Sequence, residues 1–534
     1  MIQLDKKHRY GLSILSGLIM TVSFPYTGSL TPLVFVSWIP LLILEDYITR
    51  KNYRSGKIFL HAYIAFLVYN IGTTWWIWNA SLNGAIGAFV LNALLMTFAF
   101  FAYHLTKKYV GKKEGYLSLF FFWIAFEYLH YHWELSWPWL SLGNTFSIVP
   151  SWVQWYSYTG TLGGTFWVLF LNVLGFRIIQ NVFIKKETWR IQTPLLWTFG
   201  FLILIPIGIS LSSYYRYTEE KNPVEVVVVQ PNIDPYNEKF TGPLETQLAK
   251  ITDLATSKVT AKTKFVIAPE TAISQGFYEE DVNQVFALQY LNERIKKWKT
   301  PHLFIGASTA KMFEKPNSFA SRPMIGGPGF VEYYNTSMLM SQQNEIYFIH
   351  KSKLVLGVEK LPFASIFPFL EKLSIENGGT TGTLGVEKES KVLTTNELTF
   401  APMICYESIY GEMLAEQCRK GAQALFVITN DGWWGDTPGY KQHMSFSRLR
   451  AIESRRSVAR SANTGISCII NQRGDVIQQL GWCKAGALRG NINKNDEITF
   501  YSTYGDVMGR SFTFVSALLL LLTFVKFFKK KYIR

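Results

Sequence analysis

Long apolar stretches alternate with short connections along the first 213 residues, and one more apolar stretch lies just before the C-terminus. Each stretch approaches the roughly 20 residues that an α-helix needs to cross a bilayer. Because backbone groups in lipid must be satisfied internally, such a chain is expected to form a multi-pass α-helical membrane domain. The predicted spans are 10–26, 31–47, 58–78, 84–106, 115–131, 159–182, 193–213 and 508–528.

The lysines and arginines indicate the orientation of these spans. Every second connection carries a basic cluster, whereas the connections 27–30, 79–83 and 132–158 contain neither Lys nor Arg. Basic connections stay on the cytoplasmic side of a membrane. We therefore expect both termini in the cytoplasm, a membrane domain over 1–213, an exported domain over 214–507, and a last span with a basic tail over 508–534.

The formal net charge of +15 also reflects the basic clusters in these connections. Its cations border the predicted spans, so they mark membrane sidedness and we expect no nucleic-acid partner. A transporter with a soluble sensor domain is an alternative from another class, and it would need charged residues along a path through the spans. The seven leading spans carry few charges, all toward predicted ends: Glu45, Asp46, Glu127 and Arg177.

From Val224 onward the sequence changes to short apolar runs separated by helical and turn segments. Fully apolar strands need both faces covered, so this alternation predicts a layered α/β domain with helices packed on sheets. The predicted strands are 226–230, 265–268, 302–306, 337–340, 399–404, 424–429 and 467–470. The predicted helices are 245–258, 280–298, 409–420 and 441–460, and the segment 365–395 is predicted to form a long loop.

Three of these apolar segments end in residues suited to covalent catalysis. Cys405 follows the run 399–404, Glu270 follows 265–268, and Lys351 closes the segment Ile349-His-Lys351. A cysteine nucleophile needs a base to take its proton and a cation or dipole that favours the thiolate. Glu270 and Lys351 fit those roles, and Lys351 with the backbone N–H after Cys405 could stabilise an oxyanion.

The other three cysteines, Cys418, Cys468 and Cys483, also fall in the exported domain, where disulfides are allowed. Cys418 could pair with Cys468 or Cys483, and the sequence leaves this open. The cysteines show no metal-ligand spacing, and we expect neither a metal nor a cofactor.

The motifs, taken together and in this order, resemble those of the apolipoprotein N-acyltransferases, a membrane-embedded family of the nitrilase (carbon-nitrogen hydrolase) superfamily. They are Val229-Gln-Pro-Asn232, Ala268-Pro-Glu270, Tyr334-Asn335, His350-Lys-Ser-Lys-Leu-Val355 with Glu359-Lys-Leu-Pro362, Ile404-Cys-Tyr-Glu407 and Thr429-Asn-Asp-Gly-Trp433. The sequence departs from the family pattern in two places. Val355-Leu-Gly-Val-Glu359 replaces a Val-Pro-Phe-Gly-Glu stretch, and Phe240 stands in place of a tryptophan.

The resemblance implies an α-β-β-α sandwich and a catalytic triad of Glu270, Lys351 and Cys405. It also implies a set of supporting or substrate-binding residues. In this set Glu359 would orient Lys351 or share its charge, and Glu407 would hold the turn at the cysteine. The remaining residues of this supporting set are Tyr406 and Trp433, which would wall the acyl pocket, together with Asn335 and Phe240.

The implied reaction moves an acyl chain from a phospholipid, through a thioester on Cys405, to an amine. The acceptor would be the α-amino group of the N-terminal S-diacylglyceryl cysteine of a diacylated apolipoprotein. The implied enzyme is a monomer in the bacterial inner membrane, with its catalytic domain on the periplasmic side. A second enzyme hypothesis keeps the triad and replaces the amine by water, which gives a membrane-anchored amidase or lipid hydrolase.

Overall fold

The computed structural model describes residues 3–299, 302–363, 366 and 382–532. Contacts divide the chain into two compact units. The first unit is Met1–Trp78, Ala85–Arg216 and Asp506–Arg534, and the second is Asn79–Gly84 and Tyr217–Gly505. Most of the predicted loop 365–395 lies outside the described residues, and the described part from 382 is irregular up to a short strand.

The first unit is helical. Its helices are α1 (Lys6–Ser23), α2 (Ile39–Arg50), α3 (Gly56–Thr74), α4 (Ile77–Ala80), α5 (Leu82–Tyr109), α6 (Lys112–His130), α7 (Tyr156–Ile179) and α8 (Trp189–Arg216). The last helix of the chain, α14 (Val507–Tyr532), also belongs to this unit. Each of the eight predicted spans overlaps one of these long helices, and their ends shift by a few residues.

Five helical segments in the described residues are long and apolar enough to cross a membrane. They are Thr31–Arg50, Leu82–Tyr109, Tyr156–Ile184, Trp189–Arg216 and Val507–Lys530. The multi-pass helical domain expected from the sequence is confirmed. The number of eight spans stays a prediction, because α1, α3 and α6 are not among these five segments.

A cluster of charged side chains around Glu45 lies inside the first unit. Glu45 is buried and bonds to the ammonium of Lys107, and its other oxygen lies 2.8 Å from Nδ1 of His104. Buried charges of this kind are retained in proteins when they are paired and hydrogen-bonded. Such pairing accounts for these charges without a transport path.

The second unit alternates strands and helices. Its strands are β1 (Pro223–Gln230), β2 (Thr263–Ile267), β3 (Ile273–Tyr278), β4 (His302–Phe313), β5 (Arg322–Pro323), β6 (Phe330–Ser341), β7 (Ile346–His350), β8 (Leu393–Thr394), β9 (Thr399–Ile404), β10 (Ala424–Thr429), β11 (Ser457–Ala462), β12 (Ser467–Ile470), β13 (Val476–Leu480) and β14 (Gly486–Asn493). Its helices are α9 (Leu244–Thr256), α10 (Phe286–Trp298), α11 (Gly411–Arg419), α12 (Pro438–Ser454) and α13 (Phe500–Tyr504).

These strands form two sheets. The first has the order β14-β1-β2-β4-β6-β5, with β3 beside β4 and β7 beside β6. The second has the order β13-β12-β11-β10-β9-β8. The central strands β1, β2 and β4 are parallel, and so are β9, β10 and β11. Their carboxyl ends therefore meet at the same edge of each sheet, where side chains for catalysis gather in α/β folds.

Strand β1 shows why its central residues, Val226–Val229, are all apolar. Val227 and Val229 belong to the core that β1 shares with α9 and α10. Val226 and Val228 belong to a second core, which lies between the two sheets and contains Phe400 and other side chains of β9 and β10. Because successive side chains of a strand point to opposite faces, both faces of β1 are covered. The layered α/β domain predicted from the sequence is confirmed.

One predicted helix is wrong over its last six residues, 455–460. The segment 441–460 was expected to be helical throughout, but α12 ends at Ser454 and β11 begins at Ser457. Arg455 adopts a left-handed conformation with φ +52°, which ends the helix. Residues 457–462 then pair with β10, and this tertiary pairing overrides their local helical pattern. The predicted helix 280–298 is likewise divided into a 3₁₀ segment Glu279–Gln284 and α10.

Candidate active site

The three predicted catalytic residues each follow the end of a strand. Glu270 lies three positions after β2, Lys351 directly after β7, and Cys405 directly after β9. All three side chains are buried, with exposed fractions of 6%, 1% and 9%. A rigid sheet therefore carries each of them, and this fixes their positions more closely than a free loop would.

A network of hydrogen bonds joins Glu270 to Lys351. The Lys351 ammonium donates to Oε1 of Glu270 at 3.1 Å and to Oε1 of Glu359 at 2.8 Å. The Asn335 amide donates to the same two oxygens, at 2.8 and 2.9 Å. The backbone N–H of Asn430 donates to the other Glu270 oxygen at 2.9 Å. The structure thus joins four of the predicted site residues, Lys351, Glu270, Glu359 and Asn335, in one hydrogen-bond network.

These contacts set the charge states of the acid and the amine. Burial raises the pKa of Glu270, but the nearby ammonium groups, Lys351 first, outweigh it and hold that pKa below its ordinary value. Burial lowers the pKa of Lys351, but Glu270 and Glu359 outweigh it and hold that pKa well above its ordinary value. The pair is therefore a carboxylate and an ammonium at neutral pH, as a base and an electrostatic stabiliser require.

Cys405 sits at a sharp turn. It begins a 3₁₀ segment, Cys405–Ile409, with a left-handed backbone of φ +53°. Burial raises the pKa of its thiol, the Glu270 carboxylate raises it further, and the Lys351 ammonium only partly opposes both. The resting cysteine is consequently a protonated thiol, so its proton must leave as the sulfur attacks.

Glu407 ties the cysteine turn to the lysine segment. One of its oxygens accepts from the backbone N–H of Ile404 at 2.7 Å, and the other accepts from the N–H of Ser352 at 2.6 Å. Both contacts are to residues that adjoin a catalytic side chain in sequence. A single buried carboxylate therefore holds Cys405 and Lys351 in register with each other.

Two family models match the sequence. The apolipoprotein N-acyltransferase N-terminal domain matches residues 16–174. The carbon-nitrogen hydrolase family matches residues 225–498, which is half of the chain. Apolipoprotein N-acyltransferase from Chlorobaculum tepidum is 30% identical, with 93% of each chain covered.

The chain belongs to the apolipoprotein N-acyltransferase family. It is accordingly an acyltransferase of the inner membrane. Other members are more distant over the same length: that of Geobacter metallireducens is 25% identical over 93% of this chain and 92% of its own. That of Borreliella burgdorferi is 25% identical over 98% and 96%.

Solved structures cover about half of this acyltransferase. Saccharomyces cerevisiae Nit3, a member of branch 10 of the nitrilase superfamily, covers 55% of the chain at 16% identity, with 99% of its own length and a TM-score of 0.37. An amidase from Nesterenkonia sp. covers 55% of the chain and 98% of its own at 15% identity, with a TM-score of 0.35.

The predicted aromatic residues of the acyltransferase lie in two groups. Tyr406 is buried, and its ring lies 5.4 Å from that of Tyr410. Phe240 and Trp433 are partly exposed and stack with ring centroids 6.4 Å apart. Tyr236 packs on Trp433 at 5.1 Å and donates its hydroxyl to the Trp433 carbonyl at 2.8 Å. We call Tyr236, Phe240 and Trp433 the aromatic rim.

Sequence reasoning missed a buried polar group behind the nucleophile. Nδ1 of His443 lies 2.8 Å from Asp431, and Nε2 lies 3.1 Å from the Cys405 carbonyl. The donor types of Cys405, Asp431 and His443 could hold a metal ion. Asp431, however, also accepts from the Arg460 guanidinium at 2.8 Å, and that fixed charge opposes a cation. We interpret the group as support for the cysteine turn. Asp431 lies in the quoted Thr429–Trp433 motif, so that motif was the available signal.

A second lysine at the site was also missed. Lys239 precedes Phe240, is 3% exposed, and donates to the Glu270 carbonyl at 3.1 Å. No motif in the sequence analysis included it. All four cysteines are free within the described residues, so neither disulfide left open by the sequence forms here.

Proposed function

We propose that this acyltransferase takes an acyl chain from a phospholipid, holds it as a thioester on Cys405, and passes it to a lipoprotein. The acceptor is the α-amino group of an N-terminal S-diacylglyceryl cysteine. The observation that carries this proposal is the buried cluster of Glu270 and Lys351 beside Cys405, all at strand ends. The names of the relatives support the class of acceptor.

The first half-reaction forms the thioester. Glu270 takes the Cys405 proton as the sulfur attacks the ester carbonyl carbon of the phospholipid. Lys351 and the backbone N–H of Tyr406 stabilise the oxyanion that develops. The ester C–O bond then breaks, Glu270 returns the proton to the leaving oxygen, and a lysophospholipid departs.

The second half-reaction consumes the thioester. The neutral α-amino nitrogen attacks the thioester carbonyl carbon, and Glu270 accepts the proton that this nitrogen loses. The C–S bond breaks, the proton passes to the sulfur, and the product is an amide with a regenerated thiol. Because Glu270 carries one proton in each half-reaction, no other proton carrier is needed.

The supporting residues act through these three groups. Glu359 and Asn335 orient the Lys351 ammonium and the Glu270 carboxylate by the hydrogen bonds described above. Glu407 holds the cysteine turn. Tyr406 walls the acyl pocket, and Phe240 and Trp433 contact lipid at its mouth.

The membrane arrangement is part of the proposal. Residues 1–213 and 508–534 lie in the inner membrane, and residues 214–507 lie on the periplasmic side as a monomer with no cofactor. The basic connections support this orientation. Cys483 offers a test, because it is the exposed cysteine of the second unit. A membrane-impermeant maleimide should label it in spheroplasts and leave Cys483→Ser unlabelled, and labelling only in inside-out vesicles would reverse the orientation.

The reaction is tested with the purified protein and phospholipid that carries a labelled acyl chain. We expect a labelled thioester on Cys405, and then transfer of label to a synthetic diacylated lipopeptide. Transfer to water alone would establish the hydrolase alternative. A lipopeptide with an acetylated N-terminus is the matched control acceptor, since it lacks the nucleophilic amine.

A further inference from the structure

Lys239 is a buried cation for which the reaction so far gives no role. It lies in the connection between β1 and α9, with 3% of its surface exposed. Its ammonium donates to the Glu270 carbonyl oxygen at 3.1 Å and to the Thr271 hydroxyl. Among the described residues no carboxylate forms an ion pair with it within 4.0 Å. A buried charge without an ion pair is unfavourable, so a compensating role is expected.

The backbone that Lys239 contacts is strained. Thr271, directly after the base, has φ +45°, a conformation that a β-branched residue rarely adopts. The turn also packs tightly on β4, because a Cβ at Gly306 would lie 2.5 Å from the Thr271 nitrogen and 2.6 Å from the Glu270 Cα. The Lys239 ammonium bonds both residues of this turn. It therefore restrains the backbone from which the Glu270 carboxylate projects.

The charge of Lys239 also acts on the reacting groups. Glu270 and Cys405 both interact electrostatically with its ammonium, and the Glu270 carboxylate is the group that Lys351 contacts directly. A positive charge here stabilises the carboxylate before proton transfer, and it stabilises negative charge that develops on the sulfur or the substrate oxygen during attack.

We propose that Lys239 is a positioning residue of acyl transfer, which fixes the Glu270–Thr271 turn and adds a second positive charge beside the base and the nucleophile. This inference depends on the proposed function for its reaction. Lys239 also links the base to the aromatic rim, because it bonds to the Glu270 carbonyl and Phe240 follows it directly.

The charge on Lys239 has a distinct pH dependence. Burial lowers the pKa of Lys239 to about 8, although Glu270 and Cys405 oppose that shift. Its ammonium is therefore present below about pH 8 and lost above it. The other groups that face it do not titrate there: the pKa values of Lys351 and Cys405 are raised above their ordinary values, and that of Glu270 is lowered. Thioester formation should decline as the pH rises through about 8.

The experiment measures the thioester burst on the full-length protein in vesicles of labelled phospholipid, without acceptor, from about pH 6 to about pH 9.5. Leaving out the acceptor matters because α-amino groups titrate near pH 8 themselves. We expect Lys239→Met to slow the burst about 100-fold at pH 7 and to remove the alkaline decline. Lys239→Arg should retain more of the rate, and its decline should move beyond pH 9.5. Lys250→Met is the matched control, since Lys250 is an exposed lysine bonded to the backbone of the same connection, and it should match the wild type.

A wild-type rate and an unchanged alkaline decline in Lys239→Met would overturn the inference. If Lys239→Met slows the burst but keeps the decline near pH 8, the electrostatic role of Lys239 is overturned. Lys239→Arg tests the same decline where the Met variant folds poorly. Absence of any thioester in the wild type would instead remove the proposed function. The two failures are therefore distinguishable.

Discussion

The proposed catalytic side chains and the aromatic rim are built in opposite ways. Glu270, Lys351 and Cys405 are almost fully buried, and the acid and amine are joined by several charge-assisted hydrogen bonds. The rim is open, with Tyr236 51% and Phe240 36% exposed, and it is held mainly by ring contacts. This difference in burial suits the buried residues to the proposed chemistry and the open rim to recognition of the lipid. The reacting groups need no rearrangement, whereas the rim can adapt to lipid chains of different shape.

The largest expected effect is at the nucleophile. Cys405→Ala should lower acyl transfer by at least about 10⁴-fold, because no other group can form the thioester. The measurement is label transfer to lipopeptide together with mass analysis of the protein. Cys483→Ala is the matched control and should keep wild-type activity, since Cys483 is exposed and outside the cluster. Activity in Cys405→Ala would mean that the sulfur is not the acyl carrier.

Loss of the base should come next. Glu270→Gln keeps the shape and removes the proton acceptor, so we expect thioester formation to fall by roughly 10²- to 10⁴-fold. Donor binding should change little, because Glu270 is buried and its carboxylate is already bonded to Asn335 and Asn430. Single-turnover rates against donor concentration separate the two effects. A change confined to donor affinity would show that Glu270 acts in phospholipid binding, as the rim is proposed to do, and not in proton transfer.

A smaller effect is expected at Glu359. Its Gln variant loses one charged hydrogen bond to Lys351, while Glu270 still holds the ammonium. Charged hydrogen bonds contribute about 1.5–3 kcal/mol, which corresponds to roughly 10- to 100-fold in rate. Asp at this position is the useful comparison, since it keeps the charge and shortens the reach. Equal rates for the Gln variant and the wild type would show that Lys351 needs Glu270 alone.

The rim should show a weaker effect of another kind. Trp433→Ala removes the ring that stacks on Phe240 and packs on Tyr236. Aromatic pairs contribute about 0.5–1.5 kcal/mol, so the KM for phospholipid should rise up to about 10-fold with little change in kcat. Phe240→Trp keeps an aromatic ring at this position and should alter KM by less than about 3-fold. A large fall in kcat for either variant would show that the rim acts in the chemical step and not only in binding the phospholipid.

The smallest expected effect is that of moderate acid. The pKa of Glu270 lies below its ordinary value of 4.5, so its carboxylate persists between pH 7 and pH 5. Its function as a base is lost only as the pH falls through that lowered value. Thioester formation without acceptor should therefore change by less than about 2-fold over this range. A steep decline above pH 5 would show that the base has an ordinary or raised pKa.

The sequence predicted the parts that strong local patterns determine. Strand β1 is apolar over Val226–Val229 because both faces are buried there, and that pattern is visible in the chain itself. The position of Cys405 after an apolar run was visible in the same way. The strand Ser457–Ala462 was not, because its state depends on pairing with β10. Lys239 also escaped notice, since a lysine in a polar connection shows no sign of burial until the fold brings it against Glu270.

The raised pKa of the Cys405 thiol has a consequence beyond acyl transfer. Peroxides and disulfides react with thiolates, so a buried sulfur that keeps its proton at rest is oxidised slowly. All four cysteines are free within the described residues, and the nucleophile has no neighbouring cysteine partner to resolve a sulfenic acid. The same burial that keeps the proposed nucleophile protonated until Glu270 takes its proton thus slows its oxidation between turnovers.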